Sequence, residues 1–388
     1  MEKHDNLYIK KQNKKWVLDI IKSSGPVSRA DISKRTNMSP TSISRIVQEL
    51  EHDGFVKETD LISSGVGRKA NLLDICDDAF YTIGVDLTEK SIKVGILNFN
   101  DQLAYIKKVA KPPDEDYKVT LKNMSLLIDK CIDEYGITKE KVAGIAVGMP
   151  GYINYESGYV TLSTQLGWHD IPAAKMLADM TGLKVIVDND LKMKAMAEYM
   201  YGAAKNSRSS VLIGIGSGIG SAIIMNGEFY RGENNFAGEI AHTVVDINGS
   251  LCKCGKFGCL TTVVTKSSIL EQARKVKQVD SLHELIEFYN NEETWAVNII
   301  DRVTTYIVST ITNIFYLYNP EILLLSGSLL ENFKELRDLI EEKSNMYLTE
   351  PYKSEAKIVF SQLGDTGIVL GAALQASARH FPNFVEQT

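Results

Sequence analysis

Residues 252–259 read CKCGKFGC and place three of the chain's five cysteines within eight positions, interleaved with two glycines. Clustered thiols can hold a metal ion, pair as a disulfide or stay idle, and the compartment narrows the choice. The opening stretch MEKHDNLYIKKQNKKW lacks the apolar core of a secretory signal, and no apolar run reaches the roughly 18 residues of a spanning helix. A cytoplasmic chain with no membrane partner is expected, and with it reduced thiols, which disfavours a disulfide. Cys76 and Cys131 stand alone in apolar contexts and read as core residues.

Three further groups could do chemistry. Asn189-Asp190 close the apolar run KVIVD, at the strand end where α/β folds place functional groups, and where an acid also serves as a helix N-cap. GIGSGIG (214–220) is a glycine-rich turn; its bare N–H groups could hold a phosphate, or it is a tight hairpin and no more. SPTSISRIVQELEHDG carries an apolar stripe of Ile43, Ile46, Val47 and Leu50 and shows Thr41, Ser42, Ser44, Arg45 and Gln48 on the other side. Those hydroxyl, amide and guanidinium groups suit base edges and phosphates in a major groove. Ser39 is the expected N-cap there, also facing DNA, with Pro40 in the preferred first helical position.

The elements that position this helix come in quick succession. NKKWVLDIIKSSG predicts a helix with Trp16, Val17, Ile20 and Ile21 on one face, stopped by Gly25-Pro26. SRADISKRTN predicts a second, capped by Ser28 with Asp31 three positions on and Ile32 inward. Only TNMS separates it from the third, the spacing of a helix-turn-helix. FVKETDLISSGVGRKANLLDI then reads as strand, glycine-rich turn and strand, a wing that lifts Arg68 and Lys69 toward phosphates or a minor groove. Residues 1–75 hold 13 Lys/Arg against 10 Asp/Glu, and the remainder 30 against 39. A mildly basic head on an acidic body fits a head that faces double-stranded DNA.

Beyond residue 80, strands alternate with helices, the pattern of an α/β body. YTIGVDLTEKSIKVGILNFND and SSVLIGIGSGIGSAIIMNGEFYRG both run strand, turn, strand. This duplication predicts two similar lobes around a cleft that Asn189-Asp190 and GIGSGIG would face. TWAVNIIDRVTTYIVSTITNIFYLY (294–318) predicts a long helix that serves as core or interface.

Together GMPGYI, LGWHDIP, DNDLKMKAMAE, GIGSGIGSAIIMNGEFYRG, AGEIAHTVVD and CKCGKFGCL resemble the ROK family of sugar kinases and sugar-responsive repressors. The resemblance implies an α/β, two-lobed, actin-like ATPase body carrying an N-terminal winged helix-turn-helix, as in the repressor branch. The expected domains are a head at 1–75, a first lobe at 80–200 completed by a C-terminal helix at 367–388, and a second lobe at 201–366 with the metal site and dimerisation helices. The family's His-x9-Cys-x-Cys-x4-Cys pattern falls on His242, Cys252, Cys254 and Cys259. One imidazole and three thiolates make a closed tetrahedral set, which fits one structural zinc per chain. By the same resemblance Gly151, Asn189, Asp190, Glu239 and His242 would bind a sugar, with zinc fixing the His242 ring.

Asp190 matches the catalytic base of the kinase branch. The first phosphate loop, Asp-x-Gly-Gly-Thr in those kinases, reads DLTEK (86–90) here. Side chains replace both glycines and one is acidic, so no ATP and no catalysis are expected. Thr261 stands where Glu is frequent in the family and Gln165 where Asn is, which leaves open a smaller or differently substituted sugar such as a pentose, or a pocket that binds weakly or not at all. The expected protein is a repressor of carbohydrate-utilisation genes, xylose metabolism among them; the alternatives are an ATP-using sugar kinase with an added head and a DNA-bound regulator controlled by no small molecule or by a protein partner. The repressor would be a homodimer or dimer of dimers on a palindromic operator, released or held by a sugar or sugar phosphate.

Overall fold

The computed structural model describes residues 2–59 and 71–385, with Arg68 and Lys69 of the wing tip outside the described residues. The head begins with helix Glu2–Ser24, followed by Arg29–Thr36 and Pro40–His52. The Ser28 side chain accepts from the Asp31 N–H, and Ser39 accepts from the Ser42 N–H, so both expected caps form. Strands Val56–Thr59 and Leu72–Ile75 pair antiparallel, from Val56 opposite Ile75 to Thr59 opposite Leu72. Val27-Ser28, which carry no strand signal of their own, add a third strand beside Leu72–Ile75.

The first helix differs from its expectation. It starts 11 residues before Asn13, and Lys10 in the added turns and Lys14 in the expected part pair with Glu49 and Asp53 of the third helix. Val17, Leu18 and Ile21 are buried, while Trp16 is 47% exposed. At 3.6 residues per turn, positions 17, 18 and 21 share a face and position 16 falls to its flank. Head and body share one core, in which Phe55 of the head meets Phe80 and Phe99 of the body at ring-centroid distances of 6.5 and 5.6 Å.

Each body lobe is built on a five-stranded sheet. In the first, Tyr81–Leu87, Ser91–Asn98 and Leu103–Ala110 form an antiparallel meander, and Val142–Met149 and Val185–Asn189 add in parallel on the other side. In the second, Ser209–Ile215, Ile219–Met225 and Glu228–Phe229 repeat the meander, and Ile322–Ser326 and Ile358–Phe360 repeat the parallel pair. The duplicated hairpin seen in the sequence is therefore a duplicated topology.

Helix Gly367–Val385, last in the chain, packs on the first sheet. Gly84 and Gly144 admit it: a Cβ on Gly84 would lie 2.0 Å from the Val369 carbonyl, and one on Gly144 would lie 2.1 Å from the His380 ring. The long helix Thr294–Tyr318 belongs to the second lobe's core through Ile300, Val303, Ile307, Ile311 and Phe315. Cys131 is buried, as its context suggests, and Cys76 is half-buried.

Candidate functional site

Helix Asp190–Tyr201 starts where strand Val185–Asn189 ends, and Asn189 is its N-cap. The Asn189 Oδ1 accepts from the N–H groups of Leu191 and Lys192, at 3.0 and 3.3 Å. The Asn189 amide donates to the Gly151 carbonyl at 3.4 Å. Gly151 sits at φ 135, a backbone angle that favours glycine, and a Cβ there would meet the Leu162 carbonyl at 2.6 Å. Three of the five expected sugar contacts thus share one wall of the cleft. Burial, then the neighbouring Asp86 charge, push Asp190 up to about 7.

Glu239 and His242 come from the second lobe, on the single turn Ile240–His242 and its cap. The Tyr152 hydroxyl hydrogen-bonds the Glu239 carboxyl across the cleft. Burial raises Glu239, with Lys192 and Tyr152 opposing it. The loop that delivers this turn is bolted to the first lobe. Arg231 pairs with Asp188 at 2.7 Å and lies 3.8 Å over the Tyr155 ring. Asn235 donates to Asp188 at 3.1 Å and to the Ile153 carbonyl at 2.8 Å, and it accepts from Lys192 at 2.9 Å. These residues escaped the sequence reading, because an irregular loop has no periodicity to show which side chains face inward.

His242, Cys252, Cys254 and Cys259 converge, with ligand atoms all within 4.8 Å of one another. Cys254 and Cys259 sulfurs lie 3.5 Å apart, and Cys252 Sγ lies 3.7 Å from His242 Nδ1. A tetrahedron with metal–sulfur bonds of about 2.3 Å has edges of about 3.8 Å, so these spacings suit a shared ion and are far too long for a disulfide. Gly258 lets the knuckle close, since a Cβ there would lie 1.6 Å from the Asp246 carbonyl. With Nδ1 toward the sulfurs, Nε2 is left for other partners.

The two loops that the sequence singles out as candidate phosphate sites are both engaged by side chains. In DLTEK the Thr88 hydroxyl accepts from the Lys90 and Ser91 N–H groups, at 3.3 and 3.0 Å, which closes the turn on itself. Beside it Lys93, opposite Asp86 in the antiparallel pair, is buried with its ammonium 3.5 Å from Asp86 and 2.7 Å from Asp365. Burial still raises Asp86, against the Lys93 charge. A lysine inside the otherwise apolar run SIKVGIL was the available signal for this pair.

In GIGSGIG every glycine is occupied from outside. Added Cβ atoms on Gly214 and Gly220 would lie 2.5 and 2.9 Å from Leu191. On Gly216 one would lie 2.8 Å from Ser328 Oγ, and on Gly218 it would lie 2.7 Å from the Gln165 amide. Gln165 thus spans to the second lobe, while Thr261 opens the short helix Thr261–Val264 and its carbonyl accepts from Thr265 and Ser268.

On the head, Ser39, Thr41, Arg45 and Gln48 are exposed and Ser42 and Ser44 half-exposed, while Ile43, Ile46, Val47 and Leu50 are buried. The polar face is therefore open along the whole third helix.

A winged-helix head on a two-lobed body of sugar-kinase fold defines the class. The chain belongs to the ROK family, which its residues 82–379 match. Residues 12–62 match the MarR family. The xylose repressor of Caldicellulosiruptor bescii is 27% identical, covering 97% of this chain and 98% of its own length. The DNA-binding transcriptional dual regulator NagC of Escherichia coli K12 is 26% identical over 94% and 92%. Among solved structures, a ROK family transcriptional regulator, homologous to the E. coli MLC protein, superposes with TM-score 0.82 at 26% identity, covering 97% of this chain and 99% of its own. ROK hexokinase from Thermus thermophilus shares the fold at TM-score 0.67 and 24% identity, covering 77% of this chain and 99% of its own. No described helix is long and apolar enough to cross a membrane.

Proposed function

We propose that this chain is a DNA-binding transcriptional repressor of carbohydrate-utilisation genes whose effector is a sugar or sugar phosphate held between the lobes. The carrying observation is the open polar face of helix Pro40–His52 on a winged head, joined to a sugar-kinase fold whose two glycine-loop positions carry packed side chains. In this reading Thr41, Ser42, Ser44, Arg45 and Gln48 meet base edges and phosphates, Ser39 sits at the backbone, and Arg68 and Lys69 of the wing add phosphate contacts.

Gly151, Asn189, Asp190, Glu239 and His242 form the sugar contacts. Carboxylates and amides suit polyols, because they accept several O–H bonds in fixed directions. Asp190 occupies the place of a kinase base and acts as a sugar ligand. No ATP is bound: Lys93 supplies the buried positive charge beside Asp86, and Leu191, Ser328 and Gln165 take the space along the second glycine turn. The His242, Cys252, Cys254 and Cys259 set would hold one structural zinc, which would fix the His242 ring beside the pocket. The domains are the head at 1–75, a first lobe at 80–200 closed by 367–388, and a second lobe at 201–366. A homodimer would place two heads on a palindromic operator.

The test is a gel shift on DNA upstream of neighbouring sugar genes, with and without pentoses, hexoses, amino sugars and their phosphates. Xylose and N-acetylglucosamine come first, since they appear in the names of relatives. One sugar that changes the complex supports the reading, and it fails if no fragment is bound. Arg45→Ala is expected to weaken operator binding at least tenfold with the body still folded.

A further inference from the structure

The pocket and the head are joined by a single helix with a three-group junction at its far end. Asn189 and Asp190 are the cap and first residue of helix Asp190–Tyr201, whose 12 residues span about 18 Å. At the other end the Tyr201 hydroxyl donates to Asp101 Oδ2 at 2.6 Å. The same Asp101 oxygen pairs at 2.8 Å with Lys22, in the last turn of the head's first helix. Asp101 lies in the turn between strands Ser91–Asn98 and Leu103–Ala110, with left-handed φ 56, and its side chain is only 8% exposed. Lys22 also lies 5.1 Å over the Phe99 ring, which packs at a tilt against Phe80 at 4.7 Å and Phe55 of the head at 5.6 Å.

We propose that Asp101 is a positioning residue that couples the pocket to the DNA-binding head by holding Tyr201 and Lys22 on one oxygen. The proposal rests on the sugar reading for its purpose and on the junction alone for its mechanics. Groups that would bind a ligand are also the helix cap, so a ligand that draws on Asn189 Oδ1 competes with the N–H groups of Leu191 and Lys192. The helix is stiff along its length. Glu198 fastens it by accepting from the Ser361 hydroxyl and from the Gln362 and Leu363 N–H groups, which precede the C-terminal helix. A shift at the cap therefore reaches Tyr201 as a rigid displacement, and Asp101 passes it to Lys22.

Hydrogen exchange on the full chain tests this without any ligand. Tyr201→Phe removes one hydroxyl from a partly exposed ring, and Lys22→Met removes the head's cation; neither touches the pocket. Both are expected to speed exchange at the Leu191 and Lys192 amides severalfold, a helix length away from the substitution. Exchange that changes only beside Asp101, with Leu191 and Lys192 as in the parent, overturns the coupling. Should Lys22→Met unfold the head, Tyr201→Phe decides alone. Xylose is then added as a probe to the parent chain. If it fails to protect Leu191 and Lys192, the choice of sugar is wrong; the ligand-free result still decides the junction.

Discussion

Each lobe of the body opens with the same hairpin, and the two tips are packed by side chains in opposite ways. The first tip is closed from within: Thr88 bonds its own turn, and Lys93 of the same hairpin neutralises Asp86. The second keeps all its glycines and is closed from without, by Leu191, Gln165 and Ser328 from three other segments. A glycine-rich loop is thus a statement about close approach, and the approaching group can be a leucine as readily as a phosphate. Equal topology left each hairpin free to take its own chemistry.

The contrast can be broken at either tip. Lys93→Met leaves the Asp86 carboxyl buried without its cation and is expected to cost about 3 kcal/mol or more in denaturant unfolding. Lys93→Met with Asp86→Leu recovers most of that loss; equal instability of single and double variants would mean that the loss does not come from a stranded Asp86 carboxylate. At the second tip, Leu191→Ala empties the space against Gly214 and Gly220, for about 2–3 kcal/mol. A smaller loss would show that the hairpin collapses onto the helix.

The pH dependence of stability sharpens the comparison at the cleft between the tips. Asp190 titrates near 7 in the folded chain against 3.8 in an unstructured one. Between those values the folded chain keeps a proton that the unfolded chain has released. This group's contribution is full below pH 3.8 and is lost as pH rises through about 7. Relative to Asp190→Asn, the parent's melting temperature is expected to fall between about pH 4 and 7, and parallel profiles would contradict this. His380 acts in the opposite sense. Burial holds its imidazole down to about 4, so its contribution is present above pH 6.5 and lost as pH falls through about 4. His380→Gln should flatten the acid limb of the melting profile. The smallest effect is expected from Thr88→Gly with Glu89→Gly. These changes restore glycines to the first tip but leave the second packed, so no Mg-ATP binding is expected by calorimetry in parent or variant. Measurable ATP binding there would show that the first tip alone excludes the nucleotide.

Much of this was legible in the chain. Ser28 and Ser39 as caps, the stripe of Ile43, Ile46, Val47 and Leu50, and the CKCGKFGC knuckle depend on short spacings that backbone geometry turns directly into position, while His242 was named by the ROK resemblance. The repeated strand-turn-strand likewise announced two lobes, since the period of a hairpin is local. What the sequence by itself determined is thus the capped head, the two-lobed body and the converging His and Cys ligands. Only the tertiary structure decided what each cleft group meets. Trp16 turned outward because helix phase is set by what packs against it. Arg231 and Asn235 found Asp188 from an irregular loop, and Leu191 entered the glycine turn from the other lobe. Asp101 joined Tyr201 to Lys22 across 79 and 100 positions of chain, a meeting that no local pattern encodes because contact energy depends on distance in space and not along the sequence.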